Sequence, residues 1–244
     1  MLTALIESTE EKVIAPYTSK DLKPFICQVC RERVILKKGS LVVHHFAHEA
    51  KTNCHASAGM SIKHLSTQLE IFEHLQKDSR VDKLELERVL DGCRPDISFR
   101  VDHKHYVAVE VQISNLSVDD LFRRTEQYGR KGIAVIWILP MRDGLSFPEV
   151  RVTAMEKWLT ELAFGHAFYY QSAARVVPVQ FKQVYSEVPL TSFGGGYRRA
   201  LKDYRSPVVG ISKDLVGDFF TKPRKEAFMR QFRFPNCSLW VCDS

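Results

Sequence analysis

The sequence predicts an α/β fold built around a mixed sheet, with the element order helix, three antiparallel strands, helix, strand. Two alternating segments, 94–101 and 106–112, flank a polar turn and show the period of two that is typical of half-buried strands. Residues 133–139 form a continuous apolar run, which is typical of a strand buried on both faces. Helical periodicity occupies 61–77, before the hairpin, and 117–129, before the apolar run. A small metal-binding module precedes this core, and a basic segment follows it.

Composition and charge place the chain among globular proteins. Its 244 residues, 45% of them apolar, can bury a proper core, and no stretch has low complexity. No run approaches the roughly 20 apolar residues of a membrane span, and Met1 to Ala15 contains acids but no long apolar stretch. We therefore expect a cytoplasmic protein that does not interact with membranes.

A cluster of cysteine and histidine near the start predicts a zinc site. Cys27 and Cys30 have the spacing with which two thiolates on a tight turn bind one Zn²⁺, and His48 and Cys54 complete a tetrahedron. His45 is an alternate ligand. A redox Cys-x-x-Cys motif is the main alternative, but it needs a thioredoxin-like context that is absent here. A closed site leaves no position for a reactive water, so its role is structural: the segment before the first long helix has little apolar content.

The first predicted helix places two polar side chains on one face. Ser61 can cap this helix, and His64 and Gln68 lie four positions apart on it. Its apolar stripe follows the helical period through Ile62, Leu65, Leu69 and Phe72. The alternating segment 84–90 then predicts a strand that leads into the hairpin.

The hairpin is expected to bring two carboxylates together. On its second strand, Glu110 and Gln112 lie on the face opposite the valines, because side chains alternate along a strand. The predicted register pairs the apolar residues of both strands, Ile97 with Val111, Phe99 with Val109 and Val101 with Val107. Asp96 then lies beside Glu110, and such a pair can hold Mg²⁺ or Mn²⁺ together with waters and phosphate oxygens. The alternative interpretation is a hairpin with a solvated polar face.

The elements after the hairpin predict a parallel pair of strands. Ser117 can cap the second helix, Gly129 lies near its end, and Arg124 and Tyr128 are four positions apart on it. Strand, helix and strand in this order cross over right-handedly. The run 133–139 should therefore pair in parallel with the strand before the helix.

Positive charge is concentrated near the end of the chain. The net charge is +6, and the segment from Phe193 to Phe234 carries ten Lys or Arg against four acids, interleaved with aromatic residues. This pattern suits phosphates and stacked bases, and we select Arg198, Arg199 and Lys202 as DNA contacts. A basic surface tail, or a segment that packs its aromatic side chains on the core, is an equal alternative. The chain is divided into a zinc module at 1–59, a core at 60–140, an α/β extension at 141–192 and the basic segment at 193–244.

Five motifs follow one another in an order that resembles a known family. They are Cys27-x-x-Cys30 with His45-Phe-Ala-His48 and Cys54, Arg94-Pro-Asp96, Glu110-Val-Gln112-Ile-Ser114, the stretch from Arg124 to Tyr128, and Val135-Ile-Trp137-Ile-Leu139. Together they resemble the competence protein CoiA family. The order α-β-β-β-α-β also resembles the PD-(D/E)xK nuclease superfamily, which implies a restriction-endonuclease-like sheet.

The resemblance implies a metal-dependent DNA nuclease, linked to DNA uptake and recombination or to the processing of foreign DNA. Asp96 and Glu110 would bind Mg²⁺ or Mn²⁺. Gln112, in the usual lysine position, and His64 would position the attacking water or the phosphate. The implied partners are single- or double-stranded DNA and recombination or defence proteins.

The alternative is a non-catalytic nucleic-acid-binding accessory protein with a degenerate nuclease fold. Gln112 can orient a water molecule but cannot act as a base. Met60 and Lys63 stand at the start of the first helix, where the family carries an acid. If the protein is a nuclease, Arg94 or Arg124 would supply to the phosphate the positive charge that the absent lysine normally provides. A zinc-stabilised scaffold for another protein is a third interpretation.

Overall fold

A computed structural model describes residues 1–50, 52–54, 60–190 and 194–243. Within them the chain forms a five-stranded sheet, an 11-stranded mixed sheet with three α-helices, and a two-stranded sheet. The mixed α/β class predicted from the sequence is therefore confirmed. Gly59 and Phe193, which mark two of the predicted segment boundaries, lie outside the described residues. No helix in the described ranges is long and apolar enough to cross a membrane.

The N-terminal module is a small antiparallel sheet with its own apolar core. Its strands are β1 (Thr3–Ile6), β2 (Lys12–Ile14), β3 (Phe25–Ile26), β4 (Arg33–Lys37) and β5 (His45–His48), in the spatial order β2-β1-β3-β4-β5. Its buried apolar residues include Phe25 and Phe46, whose rings meet edge to face with centroids 5.2 Å apart. The expectation that this module has little apolar content was wrong, because alternate residues of several short strands converge on one cluster.

The central elements occur in the predicted order. They are α1 (Ile62–Leu75), β6 (Val81–Leu86), β7 (Ile97–Val101), β8 (His105–Val111), α2 (Val118–Arg130) and β9 (Ala134–Pro140). Ser61 and Ser117 cap the two helices, each accepting a hydrogen bond from a backbone N–H in the first turn. β6, β7 and β8 are antiparallel, and β8 pairs in parallel with β9. The predicted parallel pair is confirmed.

β6 begins and ends earlier than the predicted strand 84–90. The backbone leaves the strand at Glu87, whose φ of 49° lies in the left-handed region. Leu90 and Cys93 then form an isolated bridge across a short turn. Glu87 turns inward and is fully buried. The alternating pattern gave no indication of this, because an acidic residue among apolar ones normally faces solvent.

The residues after β9 mostly extend the same sheet. They form β10 (Val150–Arg151), α3 (Ala154–Leu162), β11 (Ala167–Ser172), β12 (Arg175–Val188), β13 (Tyr197–Val209), β14 (Lys213–Asp214), β15 (Phe219–Arg224), β16 (Ala227–Met229), β17 (Phe232–Phe234) and β18 (Cys237–Cys242). The main path runs β10-β13-β12-β11-β9-β8-β7-β6, and β18 pairs in parallel with the start of β9. The predicted extension and the predicted basic segment therefore contribute strands to the sheet of the central elements.

The basic segment divides between core and surface. Phe219 and Phe234 are buried in the main core, as the packing interpretation proposed. Arg198, Arg199 and Lys202 are exposed on β13, which forms a long antiparallel ribbon with β12. The segment therefore packs aromatic side chains on the core and exposes basic ones, and the DNA contacts stay a prediction.

Glu87 joins the N-terminal module to the main sheet. Its carboxylate accepts hydrogen bonds from the backbone N–H groups of Leu2 at 2.9 Å and Thr3 at 3.1 Å, and from Thr3 Oγ1 at 2.6 Å. Hydrogen bonds to an ionised acceptor are stronger than those between neutral groups. Leu2 also packs its side chain into the main core, so the first strand is fixed at two neighbouring positions.

Candidate functional site

The hairpin has a register that differs from the predicted one. Ile97 pairs with Val109, whereas the sequence pattern paired it with Val111. Asp102 and His103 adopt left-handed conformations, with φ of 50° and 57°. The loop is two residues shorter than predicted, because Val101 pairs with His105 and not with Val107. Because the shift is even, every side chain keeps its predicted face.

Two buried carboxylates lie side by side on this hairpin. Asp96 precedes β7 and is 6% exposed, while Glu110 lies on β8 and is 1% exposed. Extending the observed register by one residue puts Asp96 opposite Glu110. Asp96 and Glu110 are therefore neighbours, as predicted. The observed register places them closer together than the predicted register would.

Asp96 is held by the hairpin and by α1. Its Oδ2 accepts a hydrogen bond from the backbone N–H of Val111 at 2.8 Å, and its Oδ1 lies 3.0 Å from His64 Nε2. Its backbone carbonyl accepts a hydrogen bond from Gln68 Nε2 at 2.6 Å. His64 and Gln68, one turn apart, thus face Asp96 together, as their spacing indicated.

The His64–Asp96 pair favours the charged forms of both residues. Burial opposes the charge on Asp96, but His64, the backbone N–H of Val111 and Arg124 together outweigh burial and hold the pKa of the carboxyl below its usual range. Burial likewise opposes a charge on His64, yet the negative charges of Asp96 and then of Glu110 raise the pKa of the imidazole. His64 is therefore a cation over a wider pH range than an exposed histidine.

Glu110 is held by α2. Its Oε2 accepts from the guanidinium of Arg124 and its Oε1 accepts from the hydroxyl of Tyr128. Burial raises the pKa of Glu110, the charge of Arg124 opposes that rise, and the charge of Asp96 adds to it. Burial beside Glu110 also raises the pKa of Tyr128 well above its ordinary value, so the tyrosine remains a donor.

A cleft of about 740 Å³ opens above Asp96. Its charged and polar lining residues are His64, Arg94, Asp96, Gln112, Ser114, Arg123, Arg124 and Gln127, and its apolar wall includes Val29 of the N-terminal module. Three arginines and one histidine face one acid, so the cleft is suited to anionic ligands. Arg94 and Arg124, two of the predicted phosphate contacts, lie in this cleft, whereas the predicted contacts on β13 do not line it.

Gln112 lies in the cleft with its amide already bound. Its Nε2 donates to the backbone carbonyl of Ser114 at 2.6 Å and lies 3.3 Å from Ser114 Oγ. The amide oxygen is the group that remains for a water or a ligand, and an amide oxygen accepts but does not take up a proton. The arrangement suits orientation of a ligand, and the positioning role of Gln112 stays a prediction.

The carboxylate pair has the donor chemistry for a hard divalent cation, with Arg124 as its present counter-ion. Asp96 and Glu110 supply oxygen donors of the kind that Mg²⁺ and Mn²⁺ prefer. The charge of Asp96 raises the pKa of Glu110, so an ionised Glu110 is favoured by a neighbouring positive charge. The guanidinium of Arg124 supplies it. A metal ion held by these two residues would replace this guanidinium on Glu110.

The four predicted zinc ligands lie together at a separate place. The ligand atoms of Cys27, Cys30, His48 and Cys54 all lie within 4.8 Å of one another. Cys27 Sγ and Cys54 Sγ are 3.9 Å apart, close to the separation of about 3.8 Å that two Zn–S bonds of about 2.3 Å give in a tetrahedron. Cys30 Sγ lies 3.2 Å from His48 Nε2. The group has the ligand types and spacing of a closed zinc site.

His45, the alternate ligand, is not in this group. Its Nδ1 lies 2.9 Å from the backbone carbonyl of Val43. His45 and His48 are three positions apart on β5, so their side chains leave the strand on opposite faces. In the part of the chain that the structure describes, the four residues above are the only such cluster of three or more His, Cys, Asp or Glu side chains.

Sequence reasoning did not select Gln68, Glu87 or Tyr128 as site residues. Gln68 and Tyr128 each lie four positions from a selected residue on a helix, and that spacing was the available signal. Glu87 forms an ion pair with Arg94 at 3.5 Å, and this pair connects the cleft to the N-terminal module. Its inward position depends on a left-handed backbone residue, for which the sequence carries no comparable signal.

Comparison with protein families gives two matches. The model described as "Competence protein CoiA, nuclease-like domain" matches residues 61–176, and the model described as "Competence protein CoiA, N-terminal domain" matches residues 9–57. The first range contains the carboxylate pair with α1 and α2, and the second contains the cysteine–histidine cluster. The two candidate sites therefore lie in different matched domains.

One curated relative is similar to part of the chain. The Competence protein CoiA of Bacillus subtilis (strain 168) is 29% identical over 116 residues, which is 47% of this chain and 31% of that protein. The chain thus matches about a third of its relative's length. No solved structure matches.

Proposed function

Because this chain belongs to the competence protein CoiA family, we propose that its nuclease-like domain binds DNA and hydrolyses phosphodiester bonds with a divalent metal ion. The observation that carries the proposal is the juxtaposition of Asp96 and Glu110 beside an arginine-lined cleft. The order α1-β6-β7-β8-α2-β9, with β9 parallel to β8, supports a restriction-endonuclease-like core.

The cleft is suited to the sugar–phosphate backbone. Its volume of about 740 Å³ lies in the range typical of ligand sites, which is roughly 300–1,000 Å³. Arg94, Arg123 and Arg124 can each offer several N–H donors to phosphate oxygens. Sequence-independent contacts of this kind supply much of the affinity of proteins for DNA.

Asp96 and Glu110 would hold the metal ion, Mg²⁺ or Mn²⁺. When bound, such an ion polarises the phosphate and lowers the pKa of its bound water. His64, whose pKa is raised by Asp96, lines the cleft and can donate to a phosphate oxygen. Gln112 can accept a hydrogen bond and orient the same group, but the protein must obtain its base from elsewhere.

The exposed basic residues of β13 are assigned a second role in DNA binding. Arg198 pairs with Glu187 on the ribbon, and Arg199 pairs with Ser186. Because the two arginines are consecutive on a strand, their side chains leave opposite faces of the ribbon. Lys202 follows on the same strand. We expect these residues to contact phosphates of longer DNA, beyond the cleft, with an affinity that falls as salt rises.

A non-catalytic binding protein is the second candidate, and one observation favours it. Asp96 already meets Val111 and His64, and Glu110 already meets Arg124 and Tyr128. If these contacts persist when DNA binds, the carboxylates cannot take a metal ion. The protein would then bind DNA in competence or defence, with recombination proteins acting on the strand. In either case we place its action in the cytoplasm.

The test is cleavage of labelled single- and double-stranded DNA by purified protein with Mn²⁺, with Mg²⁺ and with EDTA. Asp96→Asn and Glu110→Gln are each expected to lower the cleavage rate at least about a hundredfold. Asp102→Asn, in the exposed turn of the same hairpin, should cleave like the native protein. Circular dichroism of each variant establishes that it folds.

Each outcome selects one of the two functions. Metal-dependent products that the two site variants abolish support the nuclease. Intact DNA that migrates as a complex, unaffected by metal ions, selects the binding protein. Cleavage that survives in both site variants would place the reaction elsewhere and overturn the proposal.

A further inference from the structure

Arg124 links the acid of the site to the solvent in the cleft. Its guanidinium donates to the buried Glu110 and lies over the ring of Trp137, with 4.9 Å between the guanidinium carbon and the ring centroid. The side chain is 29% exposed and lines the cleft. One cation can therefore meet either the carboxylate beneath it or a phosphate above it.

Both carboxylates of the site face basic side chains before any ligand binds. His64 Nε2 lies 3.0 Å from Asp96 Oδ1, and the guanidinium of Arg124 donates to Glu110 Oε2. A divalent cation added beside this guanidinium would bring two positive groups to one carboxylate in a half-buried place, which is unfavourable. A phosphate brought in with the metal supplies negative charge and gives Arg124 a new partner.

The other two arginines of the cleft have acidic partners away from Glu110. Arg94 is paired with Glu87 at 3.5 Å, and Arg123 is paired with Asp120 at 2.9 Å. Arg124 is therefore the arginine of the cleft whose movement towards a phosphate would free an oxygen of Glu110.

We propose that Arg124 makes metal binding depend on DNA: a phosphate withdraws the guanidinium from Glu110 and so releases a carboxylate oxygen for the divalent cation. This inference rests on the proposed function. Tyr128 stays in place in both states, because its hydroxyl is buried and holds the other oxygen of Glu110. Only Oε2 changes partner, so Glu110 remains oriented for the metal.

The test measures Mn²⁺ binding by electron paramagnetic resonance of the free ion, with and without a phosphorothioate oligonucleotide that slows cleavage. The native protein should bind Mn²⁺ at least about tenfold more tightly when the oligonucleotide is present. Glu110→Ala in the same mixture gives the background from ions bound to the oligonucleotide. This comparison needs no variant of Arg124 and therefore does not depend on whether such a variant folds.

Variants of Arg124 then test the residue itself. Arg124→Gln should bind Mn²⁺ without the oligonucleotide more tightly than the native protein and should lose the dependence on it. Arg123→Gln is the matched control, since Arg123 is next in the chain and lines the same cleft but pairs with Asp120. It should weaken DNA binding and keep the dependence.

The possible failures are distinguishable. Equal Mn²⁺ affinity with and without the oligonucleotide, in a protein that cleaves DNA, overturns the role of Arg124 and leaves the nuclease proposal standing. No Mn²⁺ binding above background in either condition, with no cleavage, overturns both. Dependence that persists in Arg124→Gln assigns the coupling to another residue and also overturns the inference.

Discussion

His64 Nε2 lies 3.0 Å from Asp96 Oδ1, so the first helix of the core supplies a cation to the acid that begins β7. The two residues are far apart in the chain, and they meet because α1 packs on the hairpin. Burial makes this pair sensitive to pH, since each partner keeps the other charged. The pair therefore connects the packing of α1 with the electrostatics of the site.

We predict that the contribution of His64 to stability falls as the pH rises. The folded pKa of His64 is above its ordinary 6.5, so its stabilisation is complete below that pH and is lost as the pH rises through the folded pKa. Asp96, with its pKa below 3.8, contributes above that pH and loses its contribution as the pH falls through the folded pKa. In urea unfolding, the free energy of unfolding of the native protein should exceed that of His64→Gln by more at pH 5.5 than at pH 9. His74→Gln, at an exposed position on the same helix, should show no such change.

Tyr128→Phe is predicted to destabilise the protein without altering its fold. The change removes the hydroxyl that donates to the buried Glu110 and leaves one carboxylate oxygen without that donor. Such a loss costs roughly 1–3 kcal/mol. Tyr106→Phe is the control, because its hydroxyl accepts from Lys83 at the surface and its loss should cost less than about 0.5 kcal/mol. Equal midpoints of unfolding for the two variants would contradict the role of Tyr128.

The faces of the strands and helices could be predicted from the sequence, whereas their exact pairing could not. Alternation placed Glu110 on the correct face, and helical spacing placed His64 and Gln68 together. The register depended on Asp102 and His103, whose left-handed conformations no pattern of hydrophobicity reports. The predicted register was wrong by two residues, but an even shift leaves every side chain on its predicted face.

Gly129 shows the same limit at a helix end. A glycine at this position predicted the end of α2, and the helix does end nearby, at Arg130. The structure gives a further reason for glycine: a Cβ at this position would clash with the backbone carbonyl of Asn236, just before β18. That close approach involves a strand more than a hundred residues away, so only the folded chain could reveal it.

The cysteine–histidine cluster is predicted to bind one Zn²⁺ per chain. Cys27→Ser should lose the metal, measured by elemental analysis, because it removes one of the converging ligands. Cys93→Ser, outside the cluster, should retain it. Removal of zinc by a chelator should speed amide hydrogen exchange in β3 to β5 more than in β9. Metal-free native protein, or equal loss of metal in both variants, would contradict the zinc assignment.

Glu87→Gln is predicted to loosen the N-terminal module from the main sheet. The carboxylate receives three hydrogen bonds from Leu2 and Thr3, and an amide presents only one oxygen while directing its own N–H groups at those donors. The expected cost is roughly 2–3 kcal/mol, the upper part of the range for a buried group left unsatisfied. Glu85→Gln, which gives up part-buried ion pairs with Lys12 and Arg88, both at 3.4 Å, should cost less than about 1 kcal/mol. Hydrogen exchange of the Leu2 and Thr3 amides separates local release from global unfolding, and unchanged protection in Glu87→Gln would show that packing of Leu2 alone holds the module.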